Sequence, residues 1–237
     1  MYDKKKILAI IPARGGSKRL KQKNILTLDE KPLIAYSIEA ANASKYVDKV
    51  ILSSEDERII KVAKAWGAEV PFVRPQELAQ DHTRSIDVVT HALQTLEDNY
   101  DAVILLQPTS PLRTTKDIDN AIEDFYSKEA TSIIGVCEME HSPIWANTLD
   151  ESMSMEGFLD DKYNNSRSQD LPPYYRINGA FYMSKVDSVL ENETFFVKKN
   201  IYAYLMSQED SVDIDTKLDF IVAQAILKER RECQHTT

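Results

Sequence analysis

The residues best able to do chemistry begin just after the first apolar run. Ile7-Leu8-Ala9-Ile10-Ile11 stops at Pro12, and a basic loop follows with Arg14, Gly15, Gly16, Ser17, Lys18, Arg19, Lys21 and Lys23. Glycines let a backbone come close to phosphate oxygens, and a buried strand that ends in such a loop suits a polyphosphate. Arg14, Lys18 and Lys23 can neutralise its charge. The whole chain carries a net charge of −9, so this concentration of cations calls for a local cause. An ordinary basic surface loop has the same composition, and that reading stays open here.

Three other groups could join it. In Asp213-Ile214-Asp215 the carboxylates are two residues apart, which on an extended segment points them the same way. Two such carboxylates can hold Mg²⁺, which prefers oxygen ligands and shares its shell with phosphate. A helix cap would equally account for Asp215. In Gln107-Pro108-Thr109-Ser110-Pro111-Leu112-Arg113 two prolines fix the backbone while Gln107, Thr109 and Ser110 offer hydrogen bonds. That platform suits a base or a sugar, and it also fits a turn into a helix with a threonine cap. Arg167 and Arg176 bracket Pro172-Pro173 and could clamp a carboxylate; two solvated arginines are the alternative. His82, His91 and His141 carry no comparable signal.

The elements that must position these groups alternate. Strands are expected at Ile7–Ile11, Lys49–Ser53, Glu69–Val73, Asp101–Leu106 and Ser132–Val136. Helical spacing fills the gaps: Pro32 to Ala43, Glu55 to Trp66, a segment with Ile86, Val89, Leu93 and Leu96, and one starting at a Thr115 cap. Strand–helix–strand repetition implies an α/β fold with a mostly parallel sheet and helices on both faces. Ligands in such folds sit beyond the carboxyl ends of the strands, where Arg14–Lys23, Ser53–Asp56 and Gln107–Arg113 all fall.

From His141 to Asp170 the pattern is irregular, with apolar Ile144, Trp145, Met153, Met155 and Phe158. Long irregular segments inside compact domains are commonly functional or interfacial, so an excursion against a partner subunit is expected. Strands at Ile177–Ser184 and Ile201–Met206 and a helix from Thr216 to Arg230 complete one domain over residues 1–237, with the excursion at about 139–175.

Composition narrows the classes. With 237 residues, 43% of them apolar, the chain can bury a core. A pI of about 5.1 argues against nucleic-acid and anionic-membrane surfaces. No apolar run approaches the ~18 residues of a membrane span, and the run before Pro12 is too short for a signal peptide. Cys137 and Cys233 make no metal or redox motif, so a cytoplasmic setting is expected.

Five segments in order, IPARGGSKRLKQKN, RPQELAQDHTRSIDVV, LLQPTSPLR, RSQDLPPYYRINGAFY and DSVDIDTKLDF, resemble the CMP-sialic acid synthetase family, the acylneuraminate cytidylyltransferases. The likeness runs from residue 7 to about residue 226. It implies a Rossmann-like nucleotidyltransferase fold, usually a homodimer whose excursion reaches the neighbour's site. It implies that Arg14, Ser17, Lys23 and Asn24 bind CTP and its phosphates, with Arg74 and Ser85 in the same pocket. Gln107 would contact the sugar, with Thr109 and Ser110 beside it, and Arg167 and Arg176 would meet the acidic sugar or a nearby phosphate. Asp213 and Asp215 would bind Mg²⁺. The catalytic set would be Arg14, Lys23 and Asp213.

The implied reaction is CMP transfer from CTP to the anomeric hydroxyl of a nine-carbon 2-keto acid sugar, with N-acetylneuraminate first. One departure bears on the sugar: Trp145 stands where some sialic-acid enzymes have a lysine, which suits either a deoxy N-acylated sugar such as legionaminic or pseudaminic acid, or simple interface packing. An eight-carbon 3-deoxy-octulosonate cytidylyltransferase, a sugar-1-phosphate nucleotidylyltransferase and a non-catalytic nucleotide-binding protein are the competing readings.

Overall fold

The computed structural model describes residues 2–235. β1 (Ile7–Pro12) leads through the basic loop to a hairpin, β2 (Thr27–Leu28) and β3 (Lys31–Pro32), and to α1 (Leu33–Asn42). Next come β4 (Lys49–Ser53), α2 (Glu57–Ala65), α3 (Ser85–Thr95), β5 (Ala102–Leu105), α4 (Thr115–Ser127) and β6 (Ser132–Glu138). After the irregular excursion the chain forms β7 (Tyr175–Lys185), α5 (Val186–Asn192), β8 (Ile201–Met206) and α6 (Lys217–His235).

Six strands form one sheet in the order β4-β1-β5-β7-β6-β8. β1 runs parallel to β4 and β5, and β6 runs parallel to β8. β7 is antiparallel to both its neighbours. Parallel neighbours need a crossover, usually a helix. β6 and β7 are joined by the excursion instead, and the chain comes back down the sheet.

The period of two along β1 sorts its side chains between two cores. Ile7, Ala9 and Ile11 pack with Ile34 and Ile38 of α1, Ile59 of α2 and Ile118 and Phe125 of α4. Leu8 and Ile10 pack on the other face with Ile86 and Val89 of α3 and Val189 of α5. β1 is therefore buried on both faces, as an apolar run without alternation requires. A third cluster, Leu28, Leu33, Leu112, Ile214 and Ala223, seats α6 against the hairpin.

Four local expectations change. Glu69–Val73 is not a strand: Glu69 alone pairs, accepting from Leu52 N–H at 2.8 Å and donating to the Val50 carbonyl at 3.0 Å. Pro71 has no N–H to continue the ladder, and Val73 is turned out to solvent. The cap of α4 is Thr114, not Thr115, in a reciprocal pair with Asp117. α5 was not anticipated, since seven residues are too few to show a period. The last helix begins one residue later than expected and extends to His235. The excursion contains only short 3-10 turns, at Pro143–Trp145, Asp161–Tyr163 and Ser168–Asp170. Its Met153 and Met155 are exposed.

Candidate active site

Chain order reverses at β1: the chain crosses to β4 on one side and returns to β5 on the other. The loops beyond the carboxyl ends of β1 and β5 therefore diverge and leave a crevice between them. A cavity of about 580 Å³ occupies it. Arg14, Ser17, Lys23 and Asn24 line it from the loop after β1, and Gln107 and Thr109 from the loop after β5. Arg74, Ser85, Asp213 and Asp215 also line it. Stretches as far apart in the chain as Arg14–Asn24, Gln107–Thr109 and Asp213–Asp215 thus share one hollow, and the basic loop forms part of its wall.

The loop is braced from within. Buried Asn24 donates from Nδ2 to the Arg14 carbonyl at 3.0 Å. A Cβ on Gly15 would collide with the Asp56 carboxylate, so the loop can lie on the segment after β4 only with glycine there. Gly16 has open space around it. Asp81, which the sequence reading did not single out, bonds Arg14 at 2.8 Å and pairs with Lys18. Lys18 first, then Arg14, holds the Asp81 carboxyl below its ordinary pKa.

The Asp213–Asp215 segment keeps the alternation read from sequence. Ile214 is fully buried and its N–H donates to the Thr109 carbonyl at 2.8 Å. The aspartates on either side of it both face the cavity. Asp215 does not cap the helix that follows: Thr216 and Asp219 do, with Asp219 accepting from the Asp215 and Thr216 amides at 3.0 and 2.6 Å. Asp215 instead accepts from Lys23 at 2.9 Å and Arg19 at 3.1 Å. Asp213 lines the cavity and is exposed to it. Protein packed around it strips part of its hydration and so raises its carboxyl pKa; the Asp215 charge adds to the rise, while a Thr109 hydrogen bond and the Lys23 charge oppose it.

A pair of carboxylates whose charges disfavour each other fits a hard divalent cation. Among the described residues no group of three or more His, Cys, Asp or Glu side chains is placed around one point. Mg²⁺ suits such a partial donor set, because it keeps waters and takes phosphate oxygens into its shell.

Arg74 is 3% exposed and donates to Glu55 at 2.6 Å, yet its Nε has no partner among the described residues. Gln107 approaches Gly179: a Cβ there would lie 2.8 Å from Gln107 Oε1 and 3.7 Å from both Asp213 Oδ2 and Ser110 Oγ. Gly179 has φ +75°, which also favours glycine. Ser110 is fully buried and its hydroxyl has no partner among the described residues. Arg113 is buried as well, and donates to the Ala180 carbonyl at 2.8 Å and to Ser37 at 2.7 Å. Burial lowers its pKa to about 10.

The two expected clamp arginines are apart from this wall. Arg167 pairs with Asp170 of its own turn at 2.9 Å and is largely exposed. Arg176 bonds Glu140 at 2.8 Å and the Ser211 carbonyl at 3.4 Å. Neither lines the cavity.

Sequence reasoning missed a second hollow of about 290 Å³ that shares Ser85 and Gln107 with the first. Its aromatic wall is Tyr182, Phe195 and Phe196, with ring centroids 5.8 and 6.3 Å from Tyr182. The adjacent phenylalanines at 195 and 196 were the available signal; outside a regular element they had no period to draw attention.

Comparison with known proteins agrees with this geometry. The chain matches the cytidylyltransferase family over residues 8–235, and it belongs to that family. Among its relatives is the pseudaminic acid cytidylyltransferase of Campylobacter jejuni, 39% identical over 96% of this chain and 98% of the relative. The CMP-N,N'-diacetyllegionaminic acid synthase of Legionella pneumophila is 34% identical over 96% and 98%. The N-acylneuraminate cytidylyltransferase of Escherichia coli is 36% identical over 95% of this chain and 53% of that longer relative. The fold matches a solved CMP:2-keto-3-deoxy-manno-octonic acid synthetase complexed with CTP, with TM-score 0.71 and 18% identity over 95% and 99%.

Proposed function

We propose that this protein transfers CMP from CTP to the anomeric hydroxyl of a nine-carbon 2-keto acid sugar and releases pyrophosphate. The observation that carries this reading is the single cavity in which a cationic loop, a rigid polar platform and two carboxylates meet. The triphosphate lies along Arg14, Ser17, Lys18 and Lys23, whose charges and donors match phosphate. Arg74 and Ser85 complete the nucleotide pocket. The acceptor sits by Gln107 and Thr109, and the second hollow beside them takes an apolar substituent of the sugar, such as the methyl of an N-acyl group, against Tyr182, Phe195 and Phe196.

The sugar hydroxyl attacks the α-phosphorus. A carbon–oxygen–phosphorus link forms as the bond from the α-phosphorus to the bridging oxygen of pyrophosphate breaks. Direct displacement needs no covalent enzyme intermediate, so catalysis rests on positioning and charge neutralisation. Asp213 accepts the hydroxyl proton in this reading, and its partial desolvation raises its affinity for that proton. Asp213 and Asp215 would hold Mg²⁺, which when bound neutralises charge on the phosphates. Lys23 and Arg14 stabilise the departing pyrophosphate.

Within the nine-carbon class N-acetylneuraminate is the acceptor implied by the sequence motifs. The near full-length match to pseudaminic acid cytidylyltransferases, at 39–40% identity, favours pseudaminate as the second reading. We further propose a cytoplasmic homodimer in which the excursion, with Leu149, Met153 and Met155 exposed, packs on the partner; sedimentation tests it. No helix among the described residues is long and apolar enough to cross a membrane.

Pyrophosphate release from CTP and Mg²⁺ tests the reaction with a panel of N-acetylneuraminate, legionaminate, pseudaminate and the eight-carbon acid. Release with one nine-carbon acid is expected and identifies the acceptor. Release with the eight-carbon acid alone, or CTP binding with no turnover on any acid, overturns the reading.

A further inference from the structure

The carboxylate of Glu55 joins two walls of the nucleotide pocket without lining it. One oxygen accepts the Gly15 amide at 2.7 Å and the other accepts Arg74 Nη2 at 2.6 Å. Both side chains are closed to bulk water, 3% exposed for Arg74 and 9% for Glu55. The backbone at the end of β4 and just after it holds Arg74 and the root of the basic loop as well. Ser54 accepts the Arg74 amide at 2.9 Å, and Ser53 accepts the Ala13 amide at 3.0 Å. Arg74 Nη2 also reaches the Ala13 carbonyl at 3.3 Å, so the arginine is tied to the root of the basic loop as well as to Glu55.

We propose that Glu55 is the positioning residue of the nucleotide pocket. It rests on the reading that the cavity binds CTP. A long guanidinium side chain has several rotamers, and a free glycine loop has many backbone states. One carboxylate shared between them fixes both at once, so that Arg74 and the Gly15–Gly16 backbone meet the nucleotide in a set register. The Nε of Arg74 is buried and without a partner among the described residues, so the guanidinium depends the more on Glu55. Without the Glu55 charge, Arg74 would be a buried cation lacking its counter-ion and would turn elsewhere.

Glu55→Gln is close to isosteric and keeps an oxygen for the Gly15 amide while removing the charge opposite Arg74. CTP affinity is measured by calorimetry on the folded variant, with thermal unfolding and the KM of each substrate alongside. The expected result is a Kd for CTP raised about tenfold or more, as loss of a charged hydrogen bond predicts, and a sugar KM within about twofold of the starting protein. A purely structural role would lower thermal stability and leave the CTP and sugar KM values unsplit, which overturns the proposal. Glu55→Gln combined with Arg74→Met should lose no more CTP affinity than Arg74→Met alone; additive losses overturn it too. A variant that binds CTP as tightly as the unaltered protein overturns the Glu55 role by itself. An unaltered protein that binds no CTP overturns the underlying functional reading, and this proposal with it.

Discussion

Lys23 donates to Asp215 at 2.9 Å and to the neighbouring Ile214 carbonyl at 2.7 Å, with its own side chain only 13% exposed. A residue of the first loop thus holds the segment that leads into the last helix. The residue expected to neutralise phosphate and one expected to bind metal are already partners in the free protein. Asp213 makes no salt bridge among the described residues, and its raised pKa follows from partial desolvation and the charge of Asp215, which outweigh the Thr109 hydrogen bond and the Lys23 charge. Substrate phosphates and a divalent cation would enter a site whose charges are part-compensated and already in place.

The carboxylate pair gives the first prediction. Asp213→Asn and Asp215→Asn should each lower Mg²⁺-dependent pyrophosphate release about a hundredfold, in the range seen when one charge-stabilising group is removed. Titrating Mg²⁺ at saturating CTP separates the effects, since lost metal affinity raises the Mg²⁺ concentration needed for half-maximal rate. Full turnover by both variants at limiting Mg²⁺ would defeat the metal assignment.

Asp81 lines the cavity and occupies both Arg14 and Lys18 there. Triphosphate oxygens must compete with it for those cations. Asp81→Asn should therefore tighten CTP binding about two- to fivefold at low salt and less at high salt, as an exposed ion pair allows. Calorimetry at two ionic strengths checks this, and weaker binding would show instead that Asp81 orients Arg14 for the ligand.

Gly179 combines φ +75° with a Cβ position 2.8 Å from Gln107 Oε1. Gly179→Ala should cost about 1–2 kcal/mol of stability from the left-handed backbone alone. Because the added methyl meets Gln107, the KM for the sugar should rise more than that for CTP. Denaturant midpoints and a two-substrate kinetic analysis test both parts; an unchanged sugar KM would remove Gln107 from the acceptor site.

His91 packs edge-on to Phe72 with ring centroids 5.0 Å apart, and its Nδ1 is buried with no partner among the described residues. Burial, then the Arg74 charge, holds its pKa below 6.5, while Glu77 acts in the opposite direction. The unfolded chain takes up this proton more readily than the folded one. The contribution is therefore complete above pH 6.5 and is lost as pH falls through the lowered folded-state value. Urea midpoints at about pH 7.5 and 5.5 should fall further for the unaltered protein than for His91→Gln. Equal losses in the two proteins would assign the acid sensitivity to other groups.

Most of the sheet was legible because its signals are local. Five apolar, mostly β-branched residues ending at Pro12 fit a strand buried on both faces, and helical spacing from Thr115 to Phe125 leaves little choice of face. The failures were local too. Val70 and Phe72 look like strand residues, but the missing N–H of Pro71 lies between them. α5 was too short to show its period.

The chemistry on offer is written in local sequence: a cationic glycine loop, a proline-fixed polar turn and two carboxylates two residues apart. On an extended segment Asp213 and Asp215 face the same way, because alternation is a property of the backbone, but that this segment is extended and not a helix cap is seen only with Ile214 buried between them. Which groups meet depends on how distant elements pack. Asp81 reaches Arg14, Glu55 joins Gly15 to Arg74, and Phe195 and Phe196 line a hollow beside Gln107 because strand order carries β1 next to β5 and α5 back beneath α3. Arg167 and Arg176, adjacent enough in sequence to suggest a clamp, are instead held by different carboxylates. Contacts between distant residues depend on how the elements pack around the two cores, and no local pattern encodes that.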